Sequence, residues 1–451
     1  MTPIDTLILA RRVVPVAGPT RVLEDHAVAV RHGHIEAVLP AAEARERFEA
    51  VEVVELDDHV LLPGFINAHT HAAMNLMRGI ANDMPLMPWL TEHIWPIESA
   101  FMSPGFVAEG TDLAMAEMLR SGTTCFNDMY FFPDVVAERV DAAGMRAAVG
   151  MIVIDFPTVW AANAAEYLDK GLAVRDAWRG HERITPVFAP HAPYTVSDEP
   201  LEKIRTYADE MDLRVHMHVH ETAFEVNDAL EKTGERPLAR LDRLGLLTPN
   251  FLAVHMTQLT DDEIDHCART GVHVLHSPES NLKLASGLCP VQRLIDAGVN
   301  VALGTDGAAS NNDLDMIGEM RTAAFSGKLA GAQPDAAAVS ADTALEMATL
   351  GGARALGLDE ITGSIEPGKA ADLCAVDLSA IETAPMFDPV AAVVYNASRE
   401  RVTDTWVAGR RLLADRRLTT LDEAQLLDTA ARWRDTLAGH ARQPAARRSS
   451  E

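Results

Sequence analysis

Between about residue 60 and residue 310 the chain repeats a single pattern. A short run rich in β-branched residues ends in a polar residue, and a longer amphipathic stretch rich in Ala, Leu, Glu and Arg follows it. This alternation is typical of βα units and a parallel sheet. Eight such units in roughly 250 residues match the size and count of a TIM barrel. The predicted fold class is therefore α/β, a TIM (β/α)8 barrel, with strands at 62–71, 123–129, 146–154, 184–191, 214–221, 251–256, 271–278 and 300–307.

The two flanks of this region predict a second, smaller unit. Residues 4–60 alternate apolar and polar side chains, with turn signals at Gly18 and Gly33, and predict short antiparallel strands. Further strands are predicted after residue 365, with a helix between them in DPVAAVVYNA. We therefore predict a small β-sandwich domain built from both chain ends. Its first part is residues 1–61, the barrel is 62–365, and 366–451 form its second part with a C-terminal helix and a disordered tail.

Composition narrows the classes of partner. The 451 residues are 48% hydrophobic, enough for a sizeable core, and no apolar run reaches membrane-spanning length, so we expect a soluble, cytoplasmic protein. The four cysteines lie far apart and form neither a disulfide framework nor a CxxC metal pair. A net charge of −27 disfavours nucleic acid and anionic membranes as partners. The expected partner is a small molecule that is neutral, zwitterionic or cationic. The composition is also compatible with a homo-oligomer.

Polar residues close most of the predicted strands. Catalytic groups of TIM barrels lie at the carboxyl ends of the strands, and core histidines would not all choose that end. The residues that do so here are His69, His71, Asn127, Asp128, His191, His218, Glu221, His255, His276 and Asp306.

The string His69-Thr70-His71 is the first indication of a metal site. Alternate residues of a strand point to the same face, so two imidazoles can converge on one ion. Asp306 in LGTDG can supply a carboxylate ligand or a base, although such a string more often starts a loop or caps a helix. Three histidines and Asp306 would leave room for a water whose pKa zinc lowers to about 7.

Hydrolysis by such a water also needs a proton donor and a group that orients the water. Glu221 and His255 are the candidates for these two tasks. The alternatives are a carboxylate that starts a helix, for Glu221, and a hydrogen-bonded core histidine, for His255.

The chain contains six strings that carry a resemblance: LLPGFINAHTH, HAPYTVS (191–197), the HxxE at 218–221, VHMTQLT (254–260), HSPESNLKLASG (276–287) and ALGTDGAASNNDLDM (302–316). Together they resemble the amidohydrolase superfamily, and more closely its 5′-methylthioadenosine/S-adenosylhomocysteine deaminases, which are cousins of the triazine hydrolases. The likeness covers nearly the whole chain.

The resemblance implies a metal centre with one Zn²⁺ per subunit. Asp306 would also take a proton from the attacking water, Glu221 would protonate the purine ring nitrogen, and His255 would hold and polarise the water. Binuclear members carry a carboxylated lysine at the end of the fourth strand, where this chain has Ala189-Pro190-His191. The ligands carried over by position are His69, His71, His218 and Asp306.

The resemblance also implies contacts to a nucleoside. His191 would contact the bound substrate, and Glu98 matches the glutamate that binds the ribose hydroxyls. Some relatives meet the homocysteine carboxylate with an arginine after the third strand, where this chain offers only Arg175. An apolar patch of Phe156, Val159 and Trp160 lies there instead, so Trp160 is expected to contact substrate and methylthioadenosine to be preferred over S-adenosylhomocysteine.

The predicted activity is zinc-dependent hydrolytic deamination of an adenine nucleoside, namely 5′-methylthioadenosine, S-adenosylhomocysteine or adenosine, to the inosine analogue and ammonia. Within the same chemistry, the alternative substrates are guanine, a pterin or a chlorotriazine. A different functional class would be a scaffold protein that keeps the barrel but has no catalytic activity. Such a chain would be expected to have lost metal ligands.

The stretch VHMHVHET (215–222) holds three histidines that strand alternation places on one face. Only His218 stands three residues before Glu221, which is the HxxE relation that the resemblance requires, so it is the predicted ligand. His216 is expected to lie deeper in the barrel, and His220 nearer the rim in contact with the site or the substrate. His218 and Glu221 have opposite parity, so we predict that regular pleating ends at about Val219 or His220.

Overall fold

The computed structural model describes residues 1–18 and 22–441, so the predicted disordered tail at 442–451 lies outside the described residues. The described strands, in chain order, are β1 Thr2–Val13, β2 Leu23–Arg31, β3 His34–Pro40, β4 Phe48–Pro63, β5 Phe65–Thr70, β6 Thr123–Tyr130, β7 Arg146–Val153, β8 Ile184–Pro190, β9 Val215–Val219, β10 Phe251–His255, β11 His273–His276, β12 Val301–Leu303, β13 Leu373–Asp377, β14 Val402–Val407, β15 Arg410–Ala414 and β16 Arg417–Leu418.

Strands β5 to β12 form one parallel sheet in sequential order, and each of the eight predicted strands is confirmed. The first and last strands meet, because the backbone N–H of Asp306 donates to the carbonyl of His69 over 3.0 Å. The TIM barrel is thereby confirmed. All eight carboxyl ends then face one side of the barrel, where the predicted site residues lie.

Helices follow the barrel strands and start where the sequence supplies caps. Before α10, Thr260 and Glu263 form a reciprocal capping box, and Gly271 ends the helix at φ +74°. The helices are α1 Ala41–Arg47, α2 Leu86–Pro88, α3 Trp95–Phe101, α4 Pro104–Arg120, α5 Pro133–Ala143, α6 Ala164–Trp178, α7 Asp198–Met211, α8 Ala223–Thr233, α9 Pro237–Arg243, α10 Asp261–Thr270, α11 Pro278–Lys283, α12 Val291–Asp296, α13 Met316–Gly327, α14 Ala341–Ala348, α15 Leu350–Leu356, α16 Pro389–Ala391 and α17 Glu423–Ala441.

Short helical turns of other pitch complete the described structure. They lie at Ala72–Met77, Trp89–Ile94, Ile381–Thr383, Ala392–Asn396 and Arg399–Arg401. The turn at Trp89–Ile94 joins α2 to α3 in front of the barrel mouth, and α16 with Ala392–Asn396 forms the helix predicted in DPVAAVVYNA.

The remaining strands form a second sheet that draws on both ends of the chain, as predicted. Its order is β16-β15-β14-β13-β4-β1-β2-β3. The prediction of short antiparallel strands in residues 4–60 is wrong in part, because β1 and β4 pair in parallel and span 12 and 16 residues. A parallel pair requires a crossover, and β2, β3 and α1 provide it. Residue alternation predicts strands but not their relative direction.

The barrel packs apolar side chains on both faces of its sheet. On β10, Phe251 and Ala253 join helix residues in the main core, whereas Leu252 and Val254 belong to a separate cluster of small and aliphatic side chains. Alternation therefore places the second cluster inside the barrel. His216 and His218 of β9 pair with Leu252 and Val254, so both histidines share that inner face.

A buried ion pair joins the barrel to the second sheet. Arg146 at the start of β7 donates from Nε to Asp372 Oδ2 over 2.7 Å, and both side chains are almost fully buried. Asp372 also accepts the backbone N–H of Ala408 over 2.7 Å. These bonds hold Asp372, the residue just before β13, against the amino end of the barrel. Among the described residues, no helix combines the length and apolar character that a bilayer crossing requires.

Candidate active site

Four side chains converge at the carboxyl end of the barrel. One ligand atom from each of His69, His71, His218 and Asp306 lies within 4.8 Å of the other three. The Nε2 atoms of His69 and His71 stand 3.3 Å and 3.2 Å from Asp306 Oδ1, and the Nε2 atoms of His69 and His218 are 3.2 Å apart. Three imidazoles and one carboxylate at these separations form a set of donors typical of zinc.

The second nitrogen of each histidine is engaged away from this cluster. His71 Nδ1 lies 2.5 Å from the carbonyl of Met129, and His218 Nδ1 lies 2.8 Å from that of His191. His69 Nδ1 lies 2.9 Å from Nε2 of His216. Each Nδ1 can therefore carry the ring proton, which leaves a lone pair on each Nε2. Three Nε2 atoms that face one another and a carboxylate oxygen at these distances need a shared cation, either a proton or a metal ion, so the geometry fits a metal ion.

The charge of the cluster favours a cation as well. Burial by itself lowers the pKa of His71, but the hydrogen bond and charge of Asp306 outweigh it and raise that pKa to about 9. Burial by itself would raise the pKa of Asp306, and the hydrogen bonds of His69 and His71 hold it well below its usual range. Asp306 is thus an ionised carboxylate that draws positive charge into an apolar setting.

The loop after β12 aims the carboxylate of Asp306. Its Oδ2 accepts hydrogen bonds from Ser280 Oγ at 2.6 Å and Ser310 Oγ at 2.7 Å, and its Oδ1 accepts the backbone N–H of Gly307 at 2.8 Å. The backbone of Asp306 has φ +59°, a left-handed conformation that costs energy for a residue with a Cβ. Gly304 allows the strand to approach β5, because a Cβ there would lie 2.6 Å from the backbone nitrogen of His69.

The end of β9 places the three histidines of VHMHVHET in different surroundings. The strand ends at Val219, and His220 adopts φ +53°, which confirms the predicted break in pleating. The break carries Glu221 to the cavity beside His218. The prediction for His220 is wrong, because its Nε2 accepts the backbone N–H of Leu238 over 3.1 Å and the side chain lies away from the cavity.

Glu225 of α8 holds this turn in place. Its carboxylate accepts the backbone N–H groups of His220 at 3.0 Å and of Glu221 at 2.8 Å. Burial raises the pKa of Glu225 to about 8. A buried carboxylate therefore compensates two donors that the end of the strand leaves without partners.

Glu221 and His255 face each other beside the four-residue cluster. His255 Nε2 stands 3.8 Å from Glu221 Oε2, and Ser286 Oγ donates to Glu221 Oε1 over 3.3 Å. Burial raises the pKa of Glu221. His255, at φ +75°, places Nδ1 2.8 Å from Asn281 Oδ1, so that nitrogen carries the proton and Nε2 turns a lone pair to the cavity.

A cavity of about 640 Å³ opens above these groups. His71, His191, His218, Glu221, His255 and Asp306 line its floor, and Glu98 of α3 lines the side formed by Trp89–Ile94 and α3. Tyr130 donates its hydroxyl hydrogen to Glu98 Oε1 over 2.7 Å. Burial raises the pKa of Glu98 to about 7, although the Tyr130 bond opposes the rise. The structure thus brings eight of the nine predicted site residues together at one cavity or cluster.

Trp160 is the ninth, and the structure does not bring it to the cavity. Its side chain is buried against Tyr167, with ring centroids 5.5 Å apart, and it is absent from the described residues that line the cavity. Its neighbours Thr158 and Val159 line the wall instead, with Phe156, whose ring meets that of Trp95 at 6.4 Å. Local alternation in an irregular loop does not predict which apolar side chain turns inward.

Several residues that position the site were not predicted from the sequence. Ser280 and Asn281 lie in the HSPESN string, so their proximity to the site was detectable although their partners were not. Tyr130 carried no signal, because its contact with Glu98 joins segments 32 residues apart. His276 closes its strand as predicted, yet its buried ring is not among the described residues lining the cavity.

Comparison with known proteins extends these observations. The model of the amidohydrolase family matches residues 60–412. The chain is 48% identical to a 5-methylthioadenosine/S-adenosylhomocysteine deaminase of Teredinibacter turnerae, over 97% of this chain and 98% of that one. A deaminase of the same name from Thermodesulfovibrio yellowstonii is 40% identical, over 96% and 98% of the two chains.

Solved structures give a consistent result. The crystal structure of an adenosine deaminase from Xanthomonas campestris with bound zinc superimposes with a TM-score of 0.96 at 54% identity, covering 97% of this chain and 99% of that one. Atrazine chlorohydrolase from Arthrobacter aurescens has a TM-score of 0.88 at 23% identity, covering 95% and 99%. The second likeness concerns the fold alone.

Proposed function

The chain belongs to the amidohydrolase family, and we propose on that premise that it catalyses zinc-dependent hydrolytic deamination of an adenine nucleoside. The substrate class is 5′-methylthioadenosine, S-adenosylhomocysteine or adenosine, and the products are the inosine analogue and ammonia. Relatives with up to 48% identity bear the names of the first two substrates, and the neighbour with 54% identity is an adenosine deaminase. The convergence of three Nε2 atoms and one carboxylate oxygen at the cavity floor carries the proposal.

His69, His71, His218 and Asp306 would hold one zinc ion. When bound, zinc acts as a Lewis acid that supplies hydroxide near neutral pH. The task of Asp306 is to accept the proton that the attacking water loses. Its low pKa keeps it ionised, and the bonds from Ser280 and Ser310 hold Oδ2 while Oδ1 faces the histidines.

Glu221 would deliver a proton to the ring nitrogen beside the attacked carbon. Burial favours the protonated carboxyl, which is the form that a proton donor needs. His255 would accept a hydrogen bond from the attacking water at Nε2, because Nδ1 is committed to Asn281. A C–O bond forms at the ring carbon as the ring nitrogen gains the proton. The exocyclic C–N bond would then break, and the amino group would leave as ammonia after taking up the proton held by Asp306. The new hydroxyl would become the ring carbonyl, and its proton would return to Glu221.

Glu98 would bind the ribose hydroxyls, and His191 would contact the nucleoside. The Tyr130 hydroxyl occupies Oε1 of Glu98, so Oε2 is the atom available to the ribose. A carboxylate that accepts from sugar hydroxyls on one oxygen and from a phenol on the other has a defined orientation. This contact separates nucleosides from free bases such as guanine.

The 5′ substituent would meet an apolar wall formed by Ile152, Ile154, Phe156 and Val159. None of the described residues lining the cavity is Lys or Arg. The zwitterionic tail of S-adenosylhomocysteine would lose hydration there without gaining a cationic partner. We therefore propose that 5′-methylthioadenosine is the preferred substrate. A higher kcat/KM for S-adenosylhomocysteine would contradict this preference.

An ammonia-release screen combined with zinc analysis of the purified protein tests the proposal. The nucleosides should release ammonia, and guanine, a pterin and a chlorotriazine should not. Turnover of one of those compounds but not of nucleosides would move the chain to another activity of the family. A protein with neither zinc nor turnover would be a scaffold. A cytoplasmic location and a homo-oligomeric assembly stay predictions.

A further inference from the structure

The contact between His69 and His216 has no part in the chemistry proposed above. His69 Nδ1 lies 2.9 Å from His216 Nε2, and both side chains are fully buried. Their rings meet edge to face with centroids 5.0 Å apart. His216 precedes His218 by two residues on β9 and shares its inward face, so it lies one layer deeper in the barrel.

The distance determines which nitrogen carries each proton. His69 turns Nε2 toward Asp306 and His218, so a metal there needs the Nε2 lone pair and leaves the ring proton on Nδ1. That proton then lies between His69 Nδ1 and His216 Nε2, and His216 must accept it as a hydrogen bond. The other two ligand histidines use main-chain carbonyls for this purpose, those of Met129 and His191.

Packing alone does not account for a histidine at position 216. Because Nε2 accepts, its own proton stays on Nδ1, and that buried atom has no hydrogen-bond partner among the described residues. A buried donor without a partner destabilises the folded state relative to an apolar side chain of similar size. The bond to His69 is what distinguishes histidine from leucine here.

We propose that His216 is a positioning residue that holds His69 in the tautomer and ring orientation that bind the metal. Partners of this kind are common at metal sites, where the second nitrogen of a ligating histidine donates to a fixed acceptor. Here the acceptor is a neutral imidazole from inside the barrel. This inference rests on the zinc centre of the proposed function, and His216 itself lies outside the cluster of four ligands.

Two variants and one control test the inference. His216→Leu removes the acceptor and leaves an apolar side chain, whereas His216→Gln keeps an acceptor oxygen. His273→Leu is the control, because His273 also lies in a barrel strand but starts β11 at the opposite end, where its partner is Asn300. The zinc dissociation constant is measured by competition with a chromophoric chelator. The visible spectrum of the cobalt-substituted protein reports the ligand geometry, and thermal unfolding of the metal-free protein reports the fold.

Loss of such a partner typically weakens metal binding about 10- to 100-fold. We expect that loss and an altered cobalt spectrum for His216→Leu, a smaller loss for His216→Gln, and no change for His273→Leu. Equal zinc affinity of wild type and folded His216→Leu would overturn the inference, as would equal losses in all three variants. Wild-type protein without stoichiometric zinc would overturn the proposed metal centre itself. If His216→Leu does not fold, a crystal structure of the zinc-loaded wild type decides, and His216 bound to the metal or out of reach of His69 would overturn the inference.

Discussion

Replacement of Glu221 by Gln removes the proposed proton donor but keeps the size and shape of the side chain. The carboxyl group accepts from Ser286 Oγ over 3.3 Å on Oε1, and Oε2 stands 3.8 Å from His255 Nε2. An amide has the same outline and can keep the Ser286 bond through its oxygen. It cannot release a proton to a ring nitrogen. Glu221→Gln should therefore preserve the site and remove one step of the reaction.

The expected loss of kcat follows from the role of Glu221 as a general acid. A positioned general acid contributes about 100- to 10,000-fold to the rate, or about 2.7–5.4 kcal/mol of transition-state stabilisation. We expect kcat for 5′-methylthioadenosine to fall by that factor, with KM changed little, because Glu98 and the apolar wall remain. The acid must be protonated to act, so wild-type activity should decline as pH rises through the raised pKa of Glu221, and the variant should lose that decline.

The stability of the Glu221→Gln protein should not fall with its activity. Burial raises the pKa of Glu221 in the folded chain above its unfolded value. The stability linked to this group is fully present below the unfolded pKa and is lost as pH rises through the folded pKa. Gln carries no such dependence. Metal-free Glu221→Gln should therefore unfold at the same temperature as the wild type or higher above neutral pH, so lost activity will not reflect lost structure.

The assay is ammonia release under saturating zinc, with zinc content measured on the same samples. Glu231→Gln is the matched control, because Glu231 lies exposed on α8 ten residues further along the chain. The control should match the wild type in both kcat and melting temperature. A zinc-loaded Glu221→Gln protein that keeps more than about a tenth of wild-type kcat would refute Glu221 as the proton donor.

Three further predictions concern the ribose contact, the metal and the link between the two sheets. Tyr130→Phe should raise KM for nucleosides by roughly tenfold, about 1.4 kcal/mol, because Glu98 loses its 2.7 Å partner; an equal rise for free adenine would contradict a ribose role. Chelation should abolish ammonia release, and zinc at about 1,000 times its Kd should restore it and raise the free energy of unfolding by about 4 kcal/mol in urea titrations; zinc-independent activity would disprove the metal centre. Arg146→Met should lower the free energy of unfolding by about 3–5 kcal/mol, because it leaves the buried Asp372 carboxylate without its ion-pair partner; a loss below about 1 kcal/mol would show that the pair contributes little.

Side-chain alternation and short spacings along the chain predict the strands of this protein and the residues at their ends. The eight strands, the polar residues at their ends and the break after Val219 all follow from patterns within a few residues of each other. The proposed ligand set comes from motif strings through the resemblance to the amidohydrolase superfamily, and the structure brings those four side chains together at the carboxyl end of the barrel. The parallel pairing of β1 with β4 was missed, since alternation is the same in either direction.

Contacts between segments that are far apart in the chain are visible only in the folded protein. The pattern of residues along the chain predicts the barrel, the second sheet and the side chains presented at the carboxyl ends of the strands, because backbone geometry imposes these periodicities locally. It did not determine that Tyr130 meets Glu98, that Asn281 sets the tautomer of His255, or that Trp160 turns away. Nor did it show that His216 contacts His69, 147 residues earlier. Those pairings depend on how separate strands and loops pack, and no spacing along the chain encodes a distance across the barrel.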